Sequence, residues 1–113
     1  PISASSIFQE ETVASEAEEI VELLNEKDYE TLQEKSTDQM KTVMNEEYME
    51  GAKAQVGGDW GEFQRFTSSI SVEAVQQGKH FAITELTALY ENRSVTYQIS
   101  FDENMELAGI YMR

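Results

Sequence analysis

The stretch Met49–Gln76, MEGAKAQVGGDWGEFQRFTSSISVEAVQ, decides the fold because its hydrophobic period changes at Gly57-Gly58. Before the glycine pair, apolar residues recur at the spacing of a helix face, at Met49, Ala52 and Val56. After it, apolar and polar residues alternate, with the apolar ones at Phe66, Ile70, Val72 and Ala74. Glycine supplies the left-handed backbone at which many helices end. The stretch therefore predicts a helix that stops at the pair and a following strand whose even-numbered residues face the core.

The residues before this stretch predict further helices. The first is the most regular, with one apolar stripe formed by Val13, Ala17, Ile20, Val21 and Leu24. We expect Ser5 or Ser6 to cap it, and Asp28 to cap a second short helix. Residues 36–39, Ser-Thr-Asp-Gln, carry a capping signature for a third helix, and Asn45 begins the one that ends at the glycine pair. Three or four helices therefore precede the change of period.

The residues after the glycine pair predict four antiparallel strands joined by short turns. They are residues 63–76, 80–90, 95–101 and 106–112. The first two exceed the usual strand length, which indicates bulges. Helices followed by a meander are typical of an α+β domain. We predict N-terminal helices packed on a four-stranded antiparallel sheet that curves over the first helix.

Length and composition limit the chain to one domain and exclude several function classes. Its 113 residues suit a single domain, which we place at residues 6–113, after a linker or disordered start at residues 1–5. The net charge of −14 repels phosphate backbones and excludes nucleic acid as a partner. The absence of cysteine excludes disulfides, thiolate metal sites and a thiol nucleophile. No apolar run is long enough to cross a bilayer.

Four segments carry a resemblance to a known family. They are residues 17–30 (AEEIVELLNEKDYE), 58–63 (GDWGEF), 100–104 (SFDEN) and 107–111 (LAGIY). In this order and spacing they resemble the bacterial domain-of-unknown-function family 3887, of the nuclear transport factor 2-like superfamily. The resemblance implies a cone-shaped fold and a location outside the cytoplasm in Gram-positive bacteria. It implies no catalytic residues. Relatives tend to have a glycine in the hairpin where this chain has Asn92-Arg93.

A cone has a hollow end, and aromatic side chains are typical walls of a ligand pocket. The residues that we expect to line it are Tyr48, Trp60, Glu85, Tyr97 and Tyr111. Trp60 packs over the mouth of the core or acts as a lid. Glu85 is an outward-facing strand residue or, if buried in apolar surroundings, a general base with a raised pKa.

The other chemically active residues predict no catalytic, cofactor or metal site. His80 is the only histidine, so a catalytic triad would need it, but it lies beside a turn. The pairs Glu18/Glu22 and Glu46/Glu50 share helix faces, where solvated carboxylates are the ordinary interpretation and cation binding the alternative.

These observations predict a non-catalytic binding module for a small apolar or amphipathic ligand or for a protein partner. The alternative is an isomerase- or dehydratase-like enzyme with a buried carboxylate. We expect a signal or a lipid-bearing cysteine upstream of Pro1, and hence a secreted or lipid-anchored protein. The second strand is apolar on both faces, which favours a homodimer through Phe81, Ile83 and Leu89 or a cover formed by the N-terminal segment.

Overall fold

The computed structural model describes residues 1–113 and confirms the predicted α+β architecture. Four helices precede four strands, and the strands pair antiparallel in the order β1-β2-β3-β4 as an open sheet. The helices are α1 (Glu10–Glu26), α2 (Tyr29–Glu34), α3 (Asp38–Lys41) and α4 (Glu46–Val56). The strands are β1 (Phe63–Gln76), β2 (Lys79–Tyr90), β3 (Ser94–Phe101) and β4 (Leu107–Met112). None of the helices has the length and apolar character that a membrane crossing requires.

The helix boundaries follow local capping chemistry. Asp28, Thr37 and Asn45 each accept a hydrogen bond from a first-turn amide at 2.8–3.2 Å, as predicted for α2, α3 and α4. Gly57 follows α4 with a φ of 89°. The predicted cap of α1 is wrong, because that helix begins at Glu10 and Gln9 precedes it without a side-chain cap.

The N-terminal segment packs against the core ahead of α1. Ile2 and Phe8 are buried, and the Ser6 hydroxyl accepts a hydrogen bond from the Phe8 amide at 3.0 Å. These contacts hold residues 2–8 on the domain, while the domain boundary at residue 6 stays a prediction.

We call the side of the sheet that α1 covers the inner face, and the other side the outer face. The apolar stripe of α1 is buried as predicted, through Val13, Ala17, Ile20 and Val21. It meets inner-face side chains of the three later strands, all of them buried: Leu86, Val95, Tyr97, Ile99, Phe101 and Leu107. The core therefore lies between α1 and the inner face.

Three of the four even-numbered apolar residues of β1, Ile70, Val72 and Ala74, face outward, contrary to the sequence prediction. Phe66 still pairs with inner-face Ala88, but the register shifts between Phe66 and Ser68. A one-residue bulge moves every later side chain to the opposite face. Ile70 and Val72 are consequently 62% and 41% exposed, while Ser71 is buried and its hydroxyl lies 2.8 Å from that of Thr84.

The loop between α4 and β1 docks on the β2–β3 turn. The backbone N–H of Asn92 donates to the carbonyl of Trp60, and that of Glu62 donates to the Glu91 carboxylate at 2.7 Å. Gly61 has a φ of 74°, and a Cβ there would lie 2.6 Å from the Glu91 Cβ. Packing therefore requires glycine at Gly61, the second glycine of the GDWGEF segment.

Candidate functional site

The centre of the fold is filled by its own tyrosines. Tyr97 is 2% exposed, and its hydroxyl lies 2.5 Å from that of Tyr90, which donates to the Asn25 Oδ1 at 2.6 Å. Because Tyr90 has one hydroxyl hydrogen and gives it to Asn25, Tyr97 donates to Tyr90. Burial raises the pKa of both phenols above the usual value of about 10. Both groups are therefore neutral hydrogen-bonding partners in the core.

Trp60 closes the end of the fold beside these tyrosines. Its ring centroid lies 5.1 Å from that of Tyr90, and its Nε1 donates to the Gly57 carbonyl at 3.1 Å. The Lys53 ammonium lies 4.7 Å from the indole centroid, in range for a cation–π contact. The void bordered by Trp60, Tyr97 and Met112 has a volume of about 20 Å³, close to the space of one water molecule.

A larger groove of about 770 Å³ runs between α4 and β4. Tyr48 on α4 and Tyr111 on β4 line it, and both side chains are more than half exposed. The structure therefore places these two predicted pocket residues together, at the surface rather than inside the fold. The groove also contains the apolar side chains of Met49, Ala52, Val56, Ile110 and Met112.

Gly51 forms part of the α4 wall of this groove. A Cβ at this position would meet nothing within 4 Å, and the backbone does not have a positive φ. Glycine inside a helix costs about 0.5–1 kcal/mol relative to alanine. Neither packing nor backbone geometry requires glycine here, so its structural effect is to leave space along the helix wall.

The charged residues that line the groove are two arginines and one glutamate, Glu47, so the lining is net positive in an acidic protein. The Nη1 of Arg93 donates to the carbonyls of Val56 and Gly57, at the C-terminal end of α4, where the helix dipole favours a cation. The Nη2 of Arg113 lies 3.0 Å from the Glu85 carboxylate. Both arginines line the groove, and guanidinium groups are typical partners of carboxylates and phosphates.

Glu85 lies on the outer face, apart from Tyr97 and Trp60. Half of its side chain is exposed, as is that of its partner Arg113. The buried polar residues are Ser36, Ser71 and Thr84, and none carries a carboxylate. The enzyme alternative requires a desolvated acid or base, and Glu85 does not have that environment.

His80 pairs with a carboxylate at the β1–β2 hairpin, far along the sheet from the groove. Its Nδ1 lies 2.5 Å from the Glu73 carboxylate. Hydrogen bonds from Ser6 and from His80 lower the pKa of Glu73. The carboxylate stands between the hydroxyl and the imidazole, whereas a catalytic triad needs the imidazole in the middle.

The paired glutamates on the helices do not gather into a cation site. Glu46 and Glu50 both lie near the Lys27 ammonium, at 3.2 and 3.6 Å. No group of three or more His, Asp or Glu side chains converges in the structure. The Glu46/Glu50 pair thus connects the end of α1 to α4.

The comparisons with known proteins decide the family. The family model described as "Protein of unknown function (DUF3887)" matches residues 17–110. The chain belongs to this family. Its fold is similar to the NMR structure of a protein from Ruminococcus gnavus ATCC 29149, with a TM-score of 0.79 and 28% identity over 95% of this chain and 93% of that one. No curated protein sequence matches the chain.

Of the four segments that carry the resemblance to the family, residues 107–111 contribute Ile110 and Tyr111 to the groove, and two others have structural positions. Residues 58–63 form the loop that docks on the β2–β3 turn, and residues 17–30 include the buried half of α1. Sequence reasoning missed Gly51, Arg93 and Arg113 as groove residues. The glycine within a helical pattern was the available signal, since glycine weakens a helix interior.

Proposed function

We propose that this DUF3887 chain is a non-catalytic binding module whose site is the groove between α4 and β4. The ligand is amphipathic and carries an anionic group. Its apolar part lies between Tyr48 and Tyr111, and its anionic group lies near Arg93 and Arg113. Aromatic walls with a few polar anchors are the usual composition of such sites.

The groove itself is the observation that carries this proposal. Its volume of about 770 Å³ is within the range of small-molecule sites, whereas the void at the end of the fold holds about 20 Å³. Side chains of Tyr90, Tyr97 and Trp60 fill the interior that the sequence analysis assigned to a ligand. The surface groove, rather than the interior, is therefore the proposed binding site.

Superfamily and location are part of the same proposal. Helices on one face of an antiparallel sheet, with a long α1 and register shifts in the long β1, support a place in the nuclear transport factor 2-like superfamily. The family resemblance and the absence of cysteine support a site of action outside the cytoplasm. Fractionation of the host cells tests the location, and recovery only from the cytosol would contradict it.

A homodimer through the outer face completes the proposal. Val72 pairs with Ile83, and Ala74 pairs with Phe81, so apolar side chains of β1 and β2 lie next to one another on this face. Ile70 and Val72 on the same face of β1 are 62% and 41% exposed, so the N-terminal segment leaves this part of the outer face open. Of the four paired residues, Val72 is exposed and the other three are half-buried, and adjacent apolar residues that remain open to solvent favour burial against another surface.

Binding of two matched probes tests the groove. N-acetylphenylalanine has an aromatic ring and a carboxylate, and its primary amide keeps the ring without the charge. We expect calorimetry to detect tighter binding of the acid, and the Gly51→Phe substitution to abolish it by filling the groove. Gly51→Ala adds one methyl group and is the control. Equal binding of the acid to both variants would contradict the proposed site.

A further inference from the structure

β4 is an edge strand, and two of its residues direct backbone groups away from the sheet. Thr96 and Arg113 exchange backbone hydrogen bonds of 2.8 and 2.9 Å, which sets the alternation along the β3–β4 pair. Ile110 and Met112 therefore occupy non-hydrogen-bonded positions of that pair. Their N–H and C=O groups point to the free edge, where no other backbone segment pairs with them.

The chain already uses the same edge at its other end. The N–H of Leu107 donates to the Lys35 carbonyl at 2.8 Å, and its carbonyl accepts from the Thr37 amide at 3.0 Å. These bonds form one parallel bridge at Ser36, after which the chain turns into α3. The edge is thus geometrically able to accept a fifth strand, and the groove begins where the chain's own pairing stops.

We propose that the groove binds an extended peptide segment, which pairs with β4 as a fifth strand. This inference rests on the proposed function of the groove. Strand addition would satisfy the free backbone groups of Ile110 and Met112. Gly51 on the opposite wall leaves the space that a peptide backbone needs beside a helix. The ligand class is therefore a short extended peptide rather than a compact small molecule.

The two faces of the added strand define the peptide's side chains. Peptide residues opposite Ile110 and Met112 point inward to α4, where they meet Met49 and Ala52, so they are apolar. The residue between them points outward beside Tyr111 and Arg113, where a carboxylate is favoured. The pair between Arg113 and Glu85 is half exposed and hence weak, so the guanidinium is free to bind a second carboxylate.

Short peptides of this pattern test the inference by NMR on the 15N-labelled chain. The panel has the form acetyl-Thr-X-Z-X-Thr-amide, with X as Val, Leu or Phe and Z as Glu, Gln or Lys. We expect the tightest binding with Glu at the centre, and slower hydrogen exchange at the amides of Ile110 and Met112. Tightest binding with Lys would overturn the assigned charge.

Backbone N-methylation separates strand addition from side-chain binding. One peptide carries N-methyl groups on both X residues, and its matched partner carries them on Z and the last Thr. A parallel or an antiparallel fifth strand uses only one of these sets, so one peptide should lose affinity by about tenfold or more while the other keeps it. Equal affinities would overturn strand addition.

The outcomes distinguish this inference from the proposed function. If no peptide of the panel binds but N-acetylphenylalanine does, the fifth strand is overturned and the groove proposal stands. If neither binds, both are overturned. If Ile110 and Met112 are already protected in the free protein and the mass is doubled, a second copy occupies the edge, and the peptide proposal is wrong.

Discussion

The hydroxyl of Tyr97 donates to the hydroxyl of Tyr90 in the buried interior between α1 and the sheet. The hydroxyl of Tyr90 in turn donates a hydrogen bond to Asn25 of α1. The two phenols therefore connect β3, β2 and α1 through buried groups, and they close the interior. Binding is left to surfaces, and the groove of about 770 Å³ between α4 and β4 is the candidate.

This tyrosine pair predicts a loss of stability at high pH. Burial raises the folded-state pKa of Tyr97 and Tyr90 above the unfolded value of about 10. Their stabilising contribution is therefore complete below pH 10 and is lost as the pH rises above it. We expect Tyr97→Phe to flatten the fall in the free energy of unfolding above pH 10, measured by urea titrations at several pH values, because the variant has one buried phenol fewer to ionise on unfolding. Tyr48→Phe, at an exposed position, is the control, and an equal effect of both changes would contradict this origin.

The lowered pKa of Glu73 predicts a loss of stability at low pH. Hydrogen bonds from Ser6 and His80 lower its folded-state pKa below the unfolded value of 4.5. This contribution is present above pH 4.5 and is lost as the pH falls through the folded-state pKa. In thermal melts between pH 3 and 6, Glu73→Gln should flatten the pH dependence of the melting temperature relative to the unmodified protein. An unchanged slope in Glu73→Gln would refute the assignment.

Gly51 predicts a gain of stability when it is replaced by alanine. The position lies inside α4, has no positive φ and has open space around its Cα. We expect Gly51→Ala to raise the free energy of unfolding by about 0.5–1 kcal/mol in urea titrations. A destabilised Gly51→Ala variant would show that the helix wall of the groove is more crowded than described.

Replacing Gly61 with alanine is expected to lower stability. A residue with a side chain at its φ of 74° costs about 1–3 kcal/mol, and the contact with Glu91 adds to that cost. Gly58 has a similar φ of 79° with nothing within 4 Å of an added Cβ, so Gly58→Ala isolates the backbone term. Urea titrations should show a larger loss of stability for Gly61→Ala than for Gly58→Ala. Equal losses would mean that the docked loop moves aside without cost.

The apolar residues on the outer face of the sheet lead us to expect that the protein forms a dimer. At tens of micromolar we expect sedimentation equilibrium to give about twice the chain mass of 12.8 kDa. Ile83→Lys places a charge in the middle of the apolar outer-face residues and should give the monomer mass. Thr12→Lys makes the same charge change on an exposed part of α1 and should stay dimeric. A monomer in the unmodified protein would contradict the dimer.

Features set by nearby residues could be predicted from the sequence, whereas features that depend on pairing between distant residues could not. The stripe of α1 and the caps at Asp28, Thr37 and Asn45 act within a few residues, so the sequence reveals them directly. The faces of β1 depend on the bulge after Phe66, which inverts the alternation. The sequence predicted bulges in the long strands but did not locate this one.

The candidate site illustrates the same difference. Tyr48 and Tyr111 were expected in one pocket, and the structure places them on facing walls of one groove. Trp60 and Tyr97 are buried in the core instead, because aromatic residues at inner positions serve packing as well as binding. Arg93 and Arg113 join the groove only through the packing of α4 beside β4, which no spacing in the sequence reveals.

Methyl NMR on the 13C-methionine-labelled chain locates binding most directly. Of the five methionines, Met49 and Met112 line the groove, while Met40, Met44 and Met105 lie elsewhere. On titration with acetyl-Thr-Val-Glu-Val-Thr-amide, we expect the Met49 and Met112 signals to move while the other three methyl signals and the Trp60 indole signal stay in place. Trp60 borders the interior void and not the groove, so movement of its indole signal would show that the ligand enters the interior and would contradict the groove as the binding site.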